Sequence, residues 1–216
     1  MSSVKSVVIS CAGIGSRLGL SKTKALINLE GKTLIAYQLE MLKEIEDVRI
    51  VVGFQANDVI KEVLKYRKDA IFIFNHNYFE TKTGTSFYLG AKHANEYVLE
   101  MDGDLLVHPD DMKKLLNIEG EWIAYSDITS DDAVYLNINA AGNVISFSRE
   151  RGDYEWTGPC CIKKEKIDGS LENVFNQLET NLPMKGIKIR AYDIDTYDDY
   201  TRCQTIIRKW QNNLSS

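Results

Sequence analysis

Val7, Val8 and Ile9 form a β-branched run that ends in a loop holding Gly13 and Gly15. No other stretch restricts the fold as much, because a short apolar run without polar interruption belongs to a strand covered on both faces. Runs at 48–52 and 71–74 repeat the theme. Between them lie patterns of helical period, at 34–45 behind Thr33 and from Asp58 to about Tyr66 behind Asn57, each opening on a residue suited to an N-cap. Strand, helix, strand, helix in that order predicts an α/β fold with a parallel sheet and helices on both faces. Ligands of such sheets gather at the carboxyl ends of the strands, where the glycine loop, Gly53 and Asn75 emerge.

The loop itself reads as a triphosphate cradle. Gly13 and Gly15 let the backbone turn sharply and approach a ligand, while Ser16, Arg17 and Lys24 add a hydroxyl and two positive charges. Gly13, Gly15 and Gly19 miss the G-x-G-x-x-G spacing of a dinucleotide fingerprint, and no Gly-Lys-Ser/Thr completes a Walker loop. A glycine pair alone is compatible with an ordinary strand-to-helix turn, but two cations beside it exceed what a turn needs.

With 216 residues and 44% hydrophobic content, one domain over 1–216 is the expectation. A formal net charge of -5 argues against a general nucleic-acid binder, so positive charge for anionic ligands has to be concentrated locally, as it is here. No apolar run approaches the length of a membrane span, and the first residues lead into a strand without a signal-peptide core, so a cytoplasmic protein is expected. Cys11, Cys160, Cys161 and Cys203 show no zinc spacing, and His76, His93 and His108 pair with none of them, so free thiols are the expectation.

A strand at 98–101 runs into Asp102, Gly103 and Asp104, with apolar residues again at 105–107. Two carboxylates at the mouth of a buried strand repel unless a cation lies beside them, which points to a hard divalent ion; the other reading is a plain turn. The polar segment 75–86 is a solvated connection leading to a helix started by Thr85 or Ser86, an end that could also offer amides to an anion. A short helix is expected at 110–116 and a strand at 121–125, then a hairpin joining 133–138 to 143–148 through a turn at 139–142. Residues 159–162 read as a strand, 167–180 as a helix and 187–192 as the last strand. Thr196 and Asp199 form a capping-box-like start to a final helix reaching about Trp210, which leaves Asp195 without a structural role.

The sequence A-G-I-G-S-R-L followed by K-A-L resembles the signature of the sugar-nucleotide type nucleotidyltransferases, and the chain looks closest to the phosphocholine-type cytidylyltransferases. Cys11 where alanine is usual and Thr23 where proline often stands depart from the pattern without removing a charge. The late I-D-T-x-x-D-Y around Asp195 is similar to the family's second aspartate motif. The resemblance implies a Rossmann-like (GT-A-like) domain, its mostly parallel sheet carrying antiparallel additions. It further implies that Arg17 and Lys24 are catalytic, that Asp104 and Asp195 bind Mg2+, and that Ala12, Gly13, Ile14, Gly15, Ser16, Gly53, Asn75, Tyr78, Ser86 and Asp102 bind the nucleotide. Tyr154, Glu155 and Trp156 would line the acceptor pocket, with Trp156 facing a quaternary ammonium or merely packing. The implied partners are an NTP, CTP foremost, and a small phosphorylated acceptor, with a homodimer as an option. Molybdopterin guanylyltransferases and sugar-phosphate nucleotidylyltransferases are the near rivals. A GT-A glycosyltransferase, whose D-x-D spacing Asp102 and Asp104 share, and a non-catalytic nucleotide sensor are the rivals of another class.

Overall fold

The computed structural model describes residues 5–15, 22–129 and 133–214. Its strands are β1 (Lys5–Cys11), β2 (Asn28–Leu29), β3 (Lys32–Thr33), β4 (Asp47–Val52), β5 (Ile71–Phe74), β6 (Tyr97–Asp102), β7 (Leu105–Val107), β8 (Trp122–Tyr125), β9 (Tyr135–Ile138), β10 (Asn143–Ser148), β11 (Tyr154–Glu155), β12 (Cys160–Lys163), β13 (Met184–Lys188) and β14 (Ala191–Asp193). The helices are α1 (Leu34–Met41), α2 (Ala56–Tyr66), α3 (Thr83–Ala91), α4 (Pro109–Leu116), α5 (Val174–Glu179) and α6 (Tyr197–Leu214).

A 10-stranded sheet in the order β11-β9-β10-β13-β8-β12-β6-β1-β4-β5 organises the molecule. Strands β4, β5, β6, β8, β9 and β13 run with β1, while β10, β11 and β12 run against it. The mostly parallel sheet with antiparallel additions is therefore as the sequence leads one to expect. Alternation along β1 divides the core. Val7, Ile9 and Cys11 face α1, α2 and α4, whereas Val8 faces α3 and α5. A third cluster seats α6, through Cys203 and Ile207, on Leu29, Leu34 and Leu106. All four cysteines are free and buried.

Several boundaries depart from the sequence reading. Helix α1 stops at Met41, and Thr33 gives its hydroxyl to Glu62 Oε1 at 2.8 Å instead of capping the helix. Gln55, with φ of 51°, precedes α2 in place of Asn57. Helix α3 begins at Thr83, so Thr85 and Ser86 lie inside it, with the Ser86 amide bonded to Lys82 O and the Gly84 amide to Glu172 O. That helix start is not offered to an anion at 85–86. The expected helix at 167–180 shrinks to α5, because Asp168 Oδ1 turns back to accept from the Ser170 amide.

The largest departure concerns the last strand, which divides. Strand β13 pairs with β8 in the main sheet, and β14 then crosses over to pair antiparallel with β7 in a separate two-stranded sheet. Beyond that ladder the Ile194 amide donates to Asp104 O at 3.2 Å. The crossing therefore delivers residue 195 to the end of β6.

Candidate active site

A cleft of about 420 Å3 opens at the carboxyl ends of β1 and β6. Its first wall continues β1 through Ala12 and Gly13. Gly15, with φ of 65°, has Lys24 Cγ only 2.9 Å from where a Cβ would stand, so glycine both permits the turn and admits the lysine stem. The Thr23 amide, donating to Gln55 Oε1 at 2.9 Å, ties the Lys24 segment to the start of α2.

Lys24 Nζ donates to Asp104 Oδ2 at 2.8 Å and also to Asp195 Oδ1. Burial by itself would depress this ammonium, but the two carboxylates hold its pKa above the usual lysine range. The three charges that the sequence placed far apart thus meet in one spot. Asp102 and Asp193 line the same wall. Burial, then Asp104, pushes Asp102 up to about 7, and burial with the surrounding aspartates raises Asp193 as well. Below them Glu100 is fully buried; burial and Asp102 raise its pKa, and Ser10 Oγ offers it a long bond of 3.4 Å.

Among the described residues the opposite wall carries no cluster of charge. Asn75 Nδ2 donates to Thr81 Oγ1 at 2.9 Å and Ser86 Oγ at 3.1 Å, while its Oδ1 accepts from the Asn77 amide at 3.1 Å. Tyr78, Thr81, Lys82 and Thr83 complete it.

Of the residues singled out from sequence, Ala12, Gly13, Gly15, Lys24, Asn75, Tyr78, Ser86, Asp102, Asp104 and Asp195 all line this cleft. Ser16 and Arg17 lie outside the described residues. Ile14 is half-buried but not on the lining. Gly53 is not on it either: a Cβ there would stand 2.8 Å from Tyr78 Cβ and 2.9 Å from Ala12 O, so this glycine serves close packing.

Tyr154, Glu155 and Trp156 do not line the cleft. Successive strand residues point to opposite faces. Tyr154 packs on Tyr125 with ring centroids 4.7 Å apart, and Trp156 lies 6.0 Å from Phe147 and 6.4 Å from Phe175. Both are packing aromatics. Glu155 takes the other direction, where its Oε2 accepts from the Thr129 amide at 2.6 Å and its charge raises the pKa of Asp193. Sequence reasoning passed over Asp193, although its i, i+2 spacing from Asp195 on an extended segment was a usable signal.

Among the described residues no group of three or more His, Cys, Asp or Glu side chains is arranged as a metal site by itself. Asp104 and Asp195 nevertheless offer hard oxygen donors converging on one cation, which suits Mg2+, an ion that keeps several waters and takes one or two carboxylates plus substrate phosphates. No helix among the described residues is long and apolar enough to cross a membrane.

Known proteins resemble the chain in sequence and in fold. Choline-phosphate cytidylyltransferase of Streptococcus pneumoniae (strain ATCC BAA-255 / R6) is 26% identical over 234 residues, spanning 93% of this chain and 97% of that protein. The bifunctional protein GlmU of Sulfurimonas denitrificans is 32% identical over 118 residues, 54% of this chain but 27% of its own length. Among solved structures, the CTP:phosphocholine cytidylyltransferase from Streptococcus pneumoniae (LicC) superposes with a TM-score of 0.76 at 21% identity, covering 94% of this chain and 99% of that one. The inositol-1-phosphate CTP transferase from T. maritima does so with a TM-score of 0.78 at 17% identity, covering 95% and 96%. At those identities the superpositions speak for the fold. The profile of the MobA-like NTP transferase domain matches residues 7–150, from the strand before the glycine loop to past Asp104. The chain therefore belongs to the MobA-like NTP transferase family and is a nucleotidyltransferase.

Proposed function

We propose that the protein transfers a cytidylyl group from CTP to a small phosphorylated alcohol or amine resembling phosphocholine, with Mg2+ and with release of pyrophosphate. The observation that carries this reading is the single ammonium of Lys24 held between Asp104 and Asp195 at the foot of the glycine loop. Two relatives described as cytidylyltransferases, acting on choline phosphate and on inositol 1-phosphate, support the choice of base.

In the reaction an acceptor phosphate oxygen attacks the α-phosphorus in line and pyrophosphate departs. The acceptor phosphate is already ionised, so no general base is needed; alignment and charge neutralisation carry the catalysis. Asp104 and Asp195 would hold Mg2+, which when bound neutralises charge on the transferring phosphate. Lys24 stabilises charge on the same phosphoryl group. By the family resemblance, Arg17 and the loop amides hold the leaving pyrophosphate. Asn75, Ser86 and Tyr78 bound the space for base and ribose. CTP is a cytoplasmic metabolite, so the reaction belongs in that compartment.

The acidic wall holds more carboxylate than one metal ion requires. Glu155, behind Asp193, adds negative charge that would favour a cationic alcohol moiety. Pyrophosphate release measured with four NTPs across phosphocholine, inositol 1-phosphate and hexose 1-phosphates tests the assignment, with CTP and phosphocholine expected to lead. Asp104→Ala is expected to abolish turnover in the preferred pair, and turnover equal to the parent would overturn the metal assignment.

A further inference from the structure

A second hollow, of about 810 Å3, lies between α1, α4 and α6 and shares no lining residue with the cleft. Leu106 and Val107 of β7 floor it, and Tyr37, Met41, Leu116 and Trp210 form its sides. This volume, mostly apolar with a few polar groups at the edge, is the usual character of a small-molecule site. Its rim is not neutral. Lys32 is spent on Glu40 at 2.6 Å, whereas Lys43 and Lys113 form no ion pair among the described residues and face one further acid, Glu44. In a chain of formal net charge -5, that is a local excess of positive charge over an apolar pit.

The floor of this hollow and two of its walls, α1 and α6, are also joined to the aspartates of the cleft. Strand β7 follows directly on Asp104. Helix α6 begins just past Asp195, where Asp199 Oδ2 accepts from the Thr196 amide at 2.9 Å. From α1, Gln38 Nε2 donates to Asp102 O and to Leu105 O, both at 2.8 Å. A molecule that spreads α1 from α6 bears on the same short segments that set the spacing of Asp104 and Asp195.

We propose that this hollow is a regulatory site for a soluble anionic amphiphile, a molecule with an apolar body and one carboxylate or sulfonate head, and that its occupation changes the nucleotide affinity of the cleft. The apolar body fills the space beside Met41 and Trp210, and Lys43 and Lys113 meet the head. The binding half stands independently of the reaction; the coupling half rests on the nucleotidyltransferase reading.

The test uses the full chain, with 8-anilinonaphthalene-1-sulfonate as the fluorescent probe and decanoate, below its micelle concentration, as the competitor. Decanoate is expected to displace the probe with one-to-one stoichiometry, and decanol to do so more weakly. Lys43→Glu with Lys113→Glu is expected to weaken decanoate roughly fivefold, the scale of two exposed ion pairs. Met41→Trp, which fills the hollow, is expected to remove binding, and Asp104→Ala, in the other site, to leave it unchanged; circular dichroism melts show that each variant is folded. No displacement, equal binding of decanol, or indifference to both rim and filling variants overturns the site. Titration of CTP by calorimetry with and without saturating decanoate reads the coupling, expected at about fivefold or more. Equal CTP affinity overturns the regulatory half, whereas absence of CTP binding in both arms strikes the reaction assignment and leaves the decanoate result standing.

Discussion

Asn75, Thr81 and Ser86 on one wall of the cleft satisfy one another, whereas Asp102, Asp104, Asp193 and Asp195 on the other wall repel. The amide wall is already in its bonded arrangement, so ligand binding there exchanges water for ligand with little reorganisation. The acidic wall is costly as it stands, since like charges in a sheltered site raise one another's proton affinity. Lys24 offsets part of that cost, and a divalent ion would offset more. One wall is therefore preorganised by hydrogen bonds and the other is poised for a cation.

Lys24→Ala bears hardest on this contrast. It removes the cation that both Asp104 and Asp195 share. Turnover is expected to fall by at least about a hundredfold, the effect of losing one charge-stabilising donor. Unfolding free energy in urea near neutral pH is expected to drop by on the order of 3 kcal/mol, since one partner of a sheltered ion pair is left behind. Added MgCl2 should restore stability without restoring activity. A variant as stable as the parent, or one deaf to MgCl2, would show that the acidic wall is not under strain.

Asn75→Ala tests the other wall and should answer differently. It leaves the Ser86 hydroxyl and the Asn77 amide without their partner. A loss of about 1–3 kcal/mol in stability is expected for groups left unsatisfied. The nucleotide KM should rise roughly tenfold with kcat little changed, the signature of lost ground-state binding. MgCl2 should not repair the stability loss, and if it does the two walls are not separate.

The acidic wall was partly legible in the sequence, and the reasons differ residue by residue. Asp104 stands at a strand end flanked by buried apolar runs, and Asp195 was left over once the capping box of Thr196 and Asp199 had been accounted for; both are local patterns. What brings them together is not local. Ile187 and Ile189 are both buried, so the run through 192 reads as one strand, and no periodicity tells which neighbour a strand pairs with. The move of β14 from the main sheet to β7 is visible only in three dimensions. Trp156 shows the same limit. Alternation says that Tyr154 and Trp156 share a face and Glu155 takes the other, but not which face looks toward the cleft. The strands around the glycine loop were legible for the opposite reason. A strand buried on both faces, such as β1 between β4 and β6, needs an unbroken apolar run that few other elements would require.

That residual ambiguity can be broken at the acceptor end. Glu155→Gln, which removes charge beside Asp193, is expected to raise the KM for a cationic acceptor severalfold, on the order of 1 kcal/mol in transition-state binding. Trp156→Phe is expected to cost roughly 1 kcal/mol of stability through looser packing against Phe147 and Phe175, with the acceptor KM unchanged. The reverse pattern would return the aromatic residue to the acceptor pocket and take the acidic wall out of acceptor recognition.

The last expectation concerns Glu100, the buried carboxyl beneath the acidic wall, and is read from pH dependence. Burial first, and Asp102 next, hold its pKa well above the ordinary glutamate range, which favours the protonated form in the folded protein. The sign of the stability change follows from linkage. A carboxyl whose folded pKa is raised contributes stability that is fully present below its unfolded value, about 4.3, and is lost as pH rises through the folded value. Glu100→Gln replaces the group with a neutral isostere and removes that dependence. Urea melts at about pH 5 are expected to place the two proteins within about 1 kcal/mol of each other, and the balance is then expected to shift toward the variant by roughly 1.4 kcal/mol per pH unit until the folded value is passed. If the parent instead gains on the variant as pH rises, the carboxyl is ionised in the folded state, and the acidic wall extends one layer deeper into the sheet than its hydrogen bonds indicate.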